Sequence, residues 1–159
     1  MKIIIILKLV ASIIVCQIAG LLGSLFTTPA IPTWYESLKK SSFNPPNWIF
    51  GPVWTGLYIL MGISLFMVWQ KRADYPRVKT ALVFFFIQLI LNALWSVAFF
   101  GVRSPLLGLI DIVLLWIAIL LTIKSFFKIL KTAALLLLPY ILWVSFAVLL
   151  NFSLWILNP

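Results

Sequence analysis

Long apolar runs broken by short polar connections set the rhythm of this chain. From ILKLVASIIVCQIAGLLGSLF near the start to LLLPYILWVSFAVLLNFSLWIL near the end, stretches of roughly 18 or more residues recur, each long enough to cross a hydrocarbon core of ~30 Å at ~1.5 Å per residue. The pattern predicts an all-α integral membrane protein, a bundle of five transmembrane helices at about 5–26, 46–69, 79–100, 105–126 and 133–157 in a single domain over residues 1–159. A transmembrane β-barrel would instead show short segments of alternating polarity, a pattern this chain lacks.

The connection over residues 27–45, TTPAIPTWYESLKKSSFNP, is the long one and carries signals of its own. Pro29 and Pro32 resist helix, and Thr33-x-x-Glu36 has the spacing of a capping box, which predicts a short surface helix within a lid-like loop. The overlapping stretch FNPPNWIFGPVWTGLY opens the second span. Pro45 and Pro46 suit a helix start, where a missing N–H costs nothing, whereas Pro52 predicts a kink that tilts Trp48 and Trp54. Gly51 and Gly56 are expected where a neighbouring helix or a ligand comes close.

Few polar side chains are embedded in the spans. Counted from the loop-one end of each predicted helix, Gln17, Trp54, Asn92, Asp111 and Asn151 lie six to nine residues in, which places them ~9–14 Å below that surface. A carboxylate at the centre of a bilayer costs ~2.5–3.5 kcal/mol, so Asp111 is expected to face the bundle interior and to accept from Asn92, Asn151 or a backbone N–H. Gln17, Asp111 and Asn151 read as a structural polar layer.

Helical spacing then aligns aromatic residues with these amides. Gln88, Asn92, Trp95 and Phe99 share a stripe on the third span, Trp143, Ala147 and Asn151 one on the fifth, and Trp54, Tyr58 and Met61 one on the second. Trp69 and Trp155 lie near span ends and read as interfacial anchors, but Trp54, Trp95 and Trp143 are too deep for that belt. Aromatic stripes at this spacing pack cores more often than they build sites. Indole faces beside a few amides, however, suit a flat, mostly apolar ligand, with stacking supplying contact and Asn or Gln orienting a polar edge.

Composition narrows the chemistry. The 159 residues are 64% hydrophobic and 9% charged, with a mean hydropathy of +1.19, outside the range of soluble domains. The net charge of +9 comes from Lys and Arg in the connections rather than from a basic stripe, so it predicts topology and not a nucleic-acid partner. Nine of the twelve basic residues (Lys2, Lys8, Lys71, Arg72, Arg77, Lys79, Lys124, Lys128, Lys131) fall on the N-terminal side and three (Lys39, Lys40, Arg103) on the other. In a bacterial cell membrane this predicts the N-terminus inside and the C-terminus outside. With no histidine and only Cys16, the chain cannot build a Ser-His-Asp triad, a Cys-His pair or a His-rich metal site, so neither metal nor resident cofactor is expected. Cys16 reads as a packing residue. The opening MKIIIILKLV resembles a signal peptide, but the apolar run continues to Phe26 without a small-x-small site, so no cleavage is expected.

The segments TWYESLKKSSFNPPNWIFGPVWTGLYILMG, QLILNALWSVAFFG and LLLLPYILWVSFAVLLNFSLWILN, in this order and over nearly the whole chain, resemble the translocator protein family. These are the tryptophan-rich sensory proteins, whose mitochondrial members were called peripheral-type benzodiazepine receptors. The resemblance implies a five-helix bundle, commonly a homodimer in the lipid bilayer, that binds porphyrins such as protoporphyrin IX and, in animals, cholesterol. It further implies a pocket under loop one, lined by the residues matching Trp34, Tyr35, Trp54, Asn92, Trp95, Trp143 and Ala147, to which the stripes add Tyr58 and Gln88. Ser41 stands where the family usually has Pro, which softens the expected lid, and no basic residue follows Tyr140, so sterol binding is not expected. Three functions fit this frame. The first is a receptor that senses, sequesters or hands on tetrapyrroles; the second is a transporter of them. The third is an enzyme that degrades bound porphyrin with light and oxygen, with Trp54 and Trp143 as catalytic acceptors.

Overall fold

The computed structural model describes residues 2–71 and 75–159; Arg72, one of the basic residues of the second connection, lies outside the described residues. Among the described residues, five helical spans are long and apolar enough to cross a membrane: Lys2–Tyr35, Asn47–Trp69, Pro76–Gly101, Pro105–Phe127 and Lys131–Leu157. The protein is therefore an all-α integral membrane bundle. It departs from the sequence pattern most in the first and fifth spans, each for a local reason.

Helix α1 covers Lys2–Ala30 and runs on into a π-helical turn at Ile31–Tyr35, so the prolines do not end it. Proline removes one donor and crowds one carbonyl, and the wide i→i+5 turn relieves the crowding. Thr33 does not act as a cap. Its hydroxyl donates back to the carbonyls of Pro29 (3.0 Å) and Ala30 (3.4 Å). The expected loop over 27–45 thus shrinks, and more than half of it, residues 27–37, is helix.

A 3-10 turn at Asn47–Ile49 leads into α2 (Phe50–Trp69), with Pro45 and Pro46 ahead of it and Pro52 in the first α-helical turn. Helix α3 (Tyr75–Ser96) ends, like α1, in a π-turn, Val97–Gly101. A tight connection follows in which Arg103 takes a left-handed φ of 57°, and α4 (Pro105–Phe127) then starts with Ser104 as its N-cap, the hydroxyl accepting from the Leu107 N–H at 3.2 Å. The fifth span is broken: α5 (Lys131–Leu135) stops short of α6 (Leu138–Leu157). Pro139 cannot donate to the carbonyl four residues back, which accounts for the interruption. Close by, Ser64 of α2 donates to the Ala133 carbonyl at 2.7 Å and ties the short helix into the bundle.

In the bundle α1 packs along α2, α3 along α4, and α4 along α6. Tyr140, Phe85, Phe126 and Met61 fill the centre, with the Phe85 and Phe126 rings stacked at 5.8 Å. Helices α1 and α2 meet backbone to backbone at Gly62, where an added Cβ would stand 2.6 Å from the Ile13 Cα. At Gly51 and Gly56, expected where a neighbouring helix or a ligand comes close, no helix does, since a Cβ at either would meet nothing within 4 Å, although Gly51 lines the cavity described below. Both are exposed, Gly56 on a face that no helix covers.

Candidate functional site

The loop-one half of the bundle encloses a cavity of about 460 Å³ to which all five spans contribute. Its aromatic wall is built by stacked pairs on neighbouring turns: Trp54 on Tyr58 in α2, with centroids 5.6 Å apart at 29°, and Trp95 on Phe99 at the end of α3, 5.2 Å apart at 14°. From α6, Trp143 and Ala147 complete it, and the Phe50 ring meets Trp143 edge-on at 6.1 Å. Ile112 and Leu115 form the α4 side.

The polar groups are held before any ligand arrives. Tyr58 donates its hydroxyl hydrogen to Asn92 Oδ1, Asn92 Nδ2 donates to the Tyr140 hydroxyl at 3.0 Å, and that hydroxyl donates to Gln88 Oε1 at 2.8 Å. The relay crosses from α2 through α3 to α6. A second tie runs from Trp95 Nε1 to Asn151 Oδ1 (3.0 Å), while Asn151 Nδ2 donates to the Pro105 carbonyl (2.7 Å). On the α1 side Gln17 Nε2 donates to the Thr55 carbonyl at 3.2 Å. Asn92, Asn151 and Gln17 line the cavity, and each amide nitrogen, with one hydrogen committed, carries a second for another acceptor. Burial in low dielectric makes such a fixed network stiff.

Loop one runs between two lining residues of the cavity, Tyr35 and Asn47, and is tied down by its own contacts. The Tyr35 hydroxyl donates to Asn44 Oδ1 at 3.1 Å, and Lys40 Nζ lies 4.7 Å from the centre of the Tyr35 ring. Asn158, after the end of α6, accepts from the Lys39 N–H and donates to the Lys39 carbonyl. The Ser153 hydroxyl lies 3.3 Å from that of Ser41.

Against the residues expected from sequence, Tyr35, Trp54, Tyr58, Asn92, Trp95, Trp143 and Ala147 all line this one cavity. Trp34 and Gln88 do not. The π-turn directs Trp34 onto the rings of Phe99 (5.3 Å) and Phe100 (6.4 Å), so it braces the rim. Gln88 lies one turn deeper than Asn92 and is sealed behind Tyr140, buried but for 1% of its surface. Of the polar layer, Gln17 and Asn151 line the cavity, whereas Asp111 is not on its wall. Asp111 Oδ2 is buried without a hydrogen-bond partner among the described residues, while the Asn92 and Asn151 amides, the donors expected for it, bond to Tyr140 and Pro105. Of the α1 residues on the wall, the sequence pattern singled out Gln17 alone. Gly20, Ser24, Thr27 and Thr28 continue it as a face of small and polar residues at helical spacing, with Ile31 of the π-turn beyond them, and the part past Phe26 was hidden because the chain reads as loop from residue 27.

The family model described as TspO/MBR matches residues 12–156. The tryptophan-rich protein TspO of Archaeoglobus fulgidus is 50% identical over 154 residues, 96% of this chain and 98% of the relative. That of Chlorobaculum tepidum is 49% identical over 158 residues, 97% and 98% of the two chains. The human translocator protein is 35% identical over 134 residues, 84% of this chain and 79% of its own. Five membrane spans around an aromatic cavity and full-length similarity to such relatives agree, and the chain belongs to the TspO/MBR family.

Proposed function

We propose that this protein is a membrane receptor for porphyrin-type tetrapyrroles, which it senses, sequesters or hands on. The observation that carries this reading is the cavity itself, where the indole faces of Trp54, Trp95 and Trp143 surround amides fixed by the Tyr58–Asn92–Tyr140 relay. A flat macrocycle gains stacking area on such walls, while the spare amide hydrogens meet acceptors at its edge. Relatives named translocator protein and tryptophan-rich sensory protein support a small-molecule binding step, which transport and sensing share. The nine-to-three bias of the basic residues supports an orientation with the N-terminus inside, the C-terminus outside and loop one facing outward.

Protoporphyrin IX added to the detergent-solubilised protein is expected to quench tryptophan fluorescence with a saturable profile. Trp143→Leu and Asn92→Leu each weaken binding about tenfold, or ~1.4 kcal/mol, whereas Trp155→Leu at the lipid face leaves it unchanged. Equal affinities for all three folded variants would move the ligand out of this cavity. Loss of porphyrin absorbance that needs both light and oxygen and falls in Trp54→Phe would replace the receptor reading with the degradative one.

A further inference from the structure

The cavity wall is unevenly exposed. Every lining residue from α3, its π-turn, α4 and α6 is buried or half-buried, whereas the exposed ones (Leu21, Thr28, Asn47, Trp48, Gly51 and Thr55) all belong to α1 or to α2 and its leading turn. The two helices are zipped in the inner half, where Gly62 admits the Ile13 backbone. Their last polar tie is the Gln17–Thr55 hydrogen bond. One turn further toward loop one the seam opens, because a Cβ at Gly51 would meet nothing within 4 Å and Trp48 is 74% exposed. Overhead, the Lys39–Asn158 and Tyr35–Asn44 bonds hold loop one down.

We propose that the gap between α1 and α2, above the Gln17–Thr55 tie, is a lateral portal through which ligands enter the cavity from the lipid phase of the loop-one leaflet. From Thr55 to Trp48 the opening spans seven residues of helix, ~10 Å, within the apolar span Asn47–Trp69. The portal selects by phase: a ligand must first partition into the bilayer, so flat amphiphiles enter and strongly hydrated solutes do not. This rests on the binding reading only in taking the cavity as the occupied site.

The test therefore uses no porphyrin. In nanodiscs, Ala147→Cys in a Cys16→Ala background places a thiol on the cavity wall, and its labelling by a lipophilic pyrene maleimide is compared with that by a sulfonated maleimide. Each rate is referred to Ser42→Cys in exposed loop one. The lipophilic reagent is expected to reach the cavity at least about tenfold faster. Adding Gly51→Trp, or Thr55→Trp as an independent plug one turn deeper, slows it about tenfold, while Asn158→Leu, which frees loop one, leaves it unchanged. The proposal is overturned if both plugs leave the lipophilic rate as it was, or if the sulfonated reagent labels as fast and Asn158→Leu accelerates both.

Discussion

Asn158 and Lys39, 119 residues apart, hold each other by two hydrogen bonds in opposite senses: the Asn158 side chain accepts from the Lys39 N–H at 2.9 Å and donates to the Lys39 carbonyl at 3.0 Å. A side-chain amide thereby imitates a strand partner for one residue of loop one. Each such bond contributes ~0.5–1.5 kcal/mol net. Asn158→Leu is expected to leave the bundle folded and to loosen the loop, read as faster tryptic cleavage at Lys39 and Lys40. Unchanged cleavage would assign the loop's order to the Tyr35–Asn44 bond and the rim aromatics instead.

The buried relay predicts an asymmetry between its two phenols. Tyr140 both accepts from Asn92 and donates to Gln88, whereas Tyr58 is recorded only as a donor to Asn92. Tyr140→Phe strands two buried amides, at ~1–3 kcal/mol for each group left unsatisfied, and Tyr58→Phe strands one acceptor. In thermal unfolding in detergent, Tyr140→Phe should lower the midpoint more than Tyr58→Phe. The reverse order would mean that Gln88 finds another partner.

Glycines on different faces of α2 should respond oppositely to the same change. At Gly62 an alanine methyl meets the Ile13 backbone at 2.6 Å, so Gly62→Ala forces α1 and α2 apart and lowers stability. At Gly56 the methyl meets nothing, and Gly56→Ala gains helix propensity of up to ~1 kcal/mol. Unfolding midpoints of the two variants check both signs at once.

Orientation is open to direct labelling in spheroplasts. With the basic residues inside, Ser42→Cys in loop one is expected to react with an impermeant maleimide and Thr132→Cys, at the start of α5, is not. The opposite pattern would invert the topology.

Much of this architecture was legible from periodicity. Apolar runs located the five spans to within a few residues at most ends, and the spacing of Asn92, Trp95, Trp143 and Ala147 placed them on faces that converge on one cavity. What periodicity could not carry was phase. A π-turn adds one residue to a helical repeat without leaving a mark in composition, so the continuation of α1 past Pro29 and the packing of Trp34 onto Phe99 rather than the cavity were hidden. Hydrogen-bond choice was hidden too, because Asn92 had several partners within reach and only packing gave it to Tyr58 and Tyr140 rather than Asp111. The close approach of α1 and α2 turned on which glycine faced the other helix, a rotational question that residue type alone does not answer.

The two π-turns, Ile31–Tyr35 and Val97–Gly101, face one another at the rim, with Trp34 and Tyr35 of one against Phe99 and Phe100 of the other. Each amounts to a single-residue insertion into an otherwise regular helix. Deleting one residue from either turn would close the wide i→i+5 turn to i→i+4 and remove the slack that aims its aromatic pair at the counterpart. The rim is thus more sensitive to chain length than to side-chain identity: exchange of one aromatic for another keeps the clasp, and loss of a single residue unfastens it.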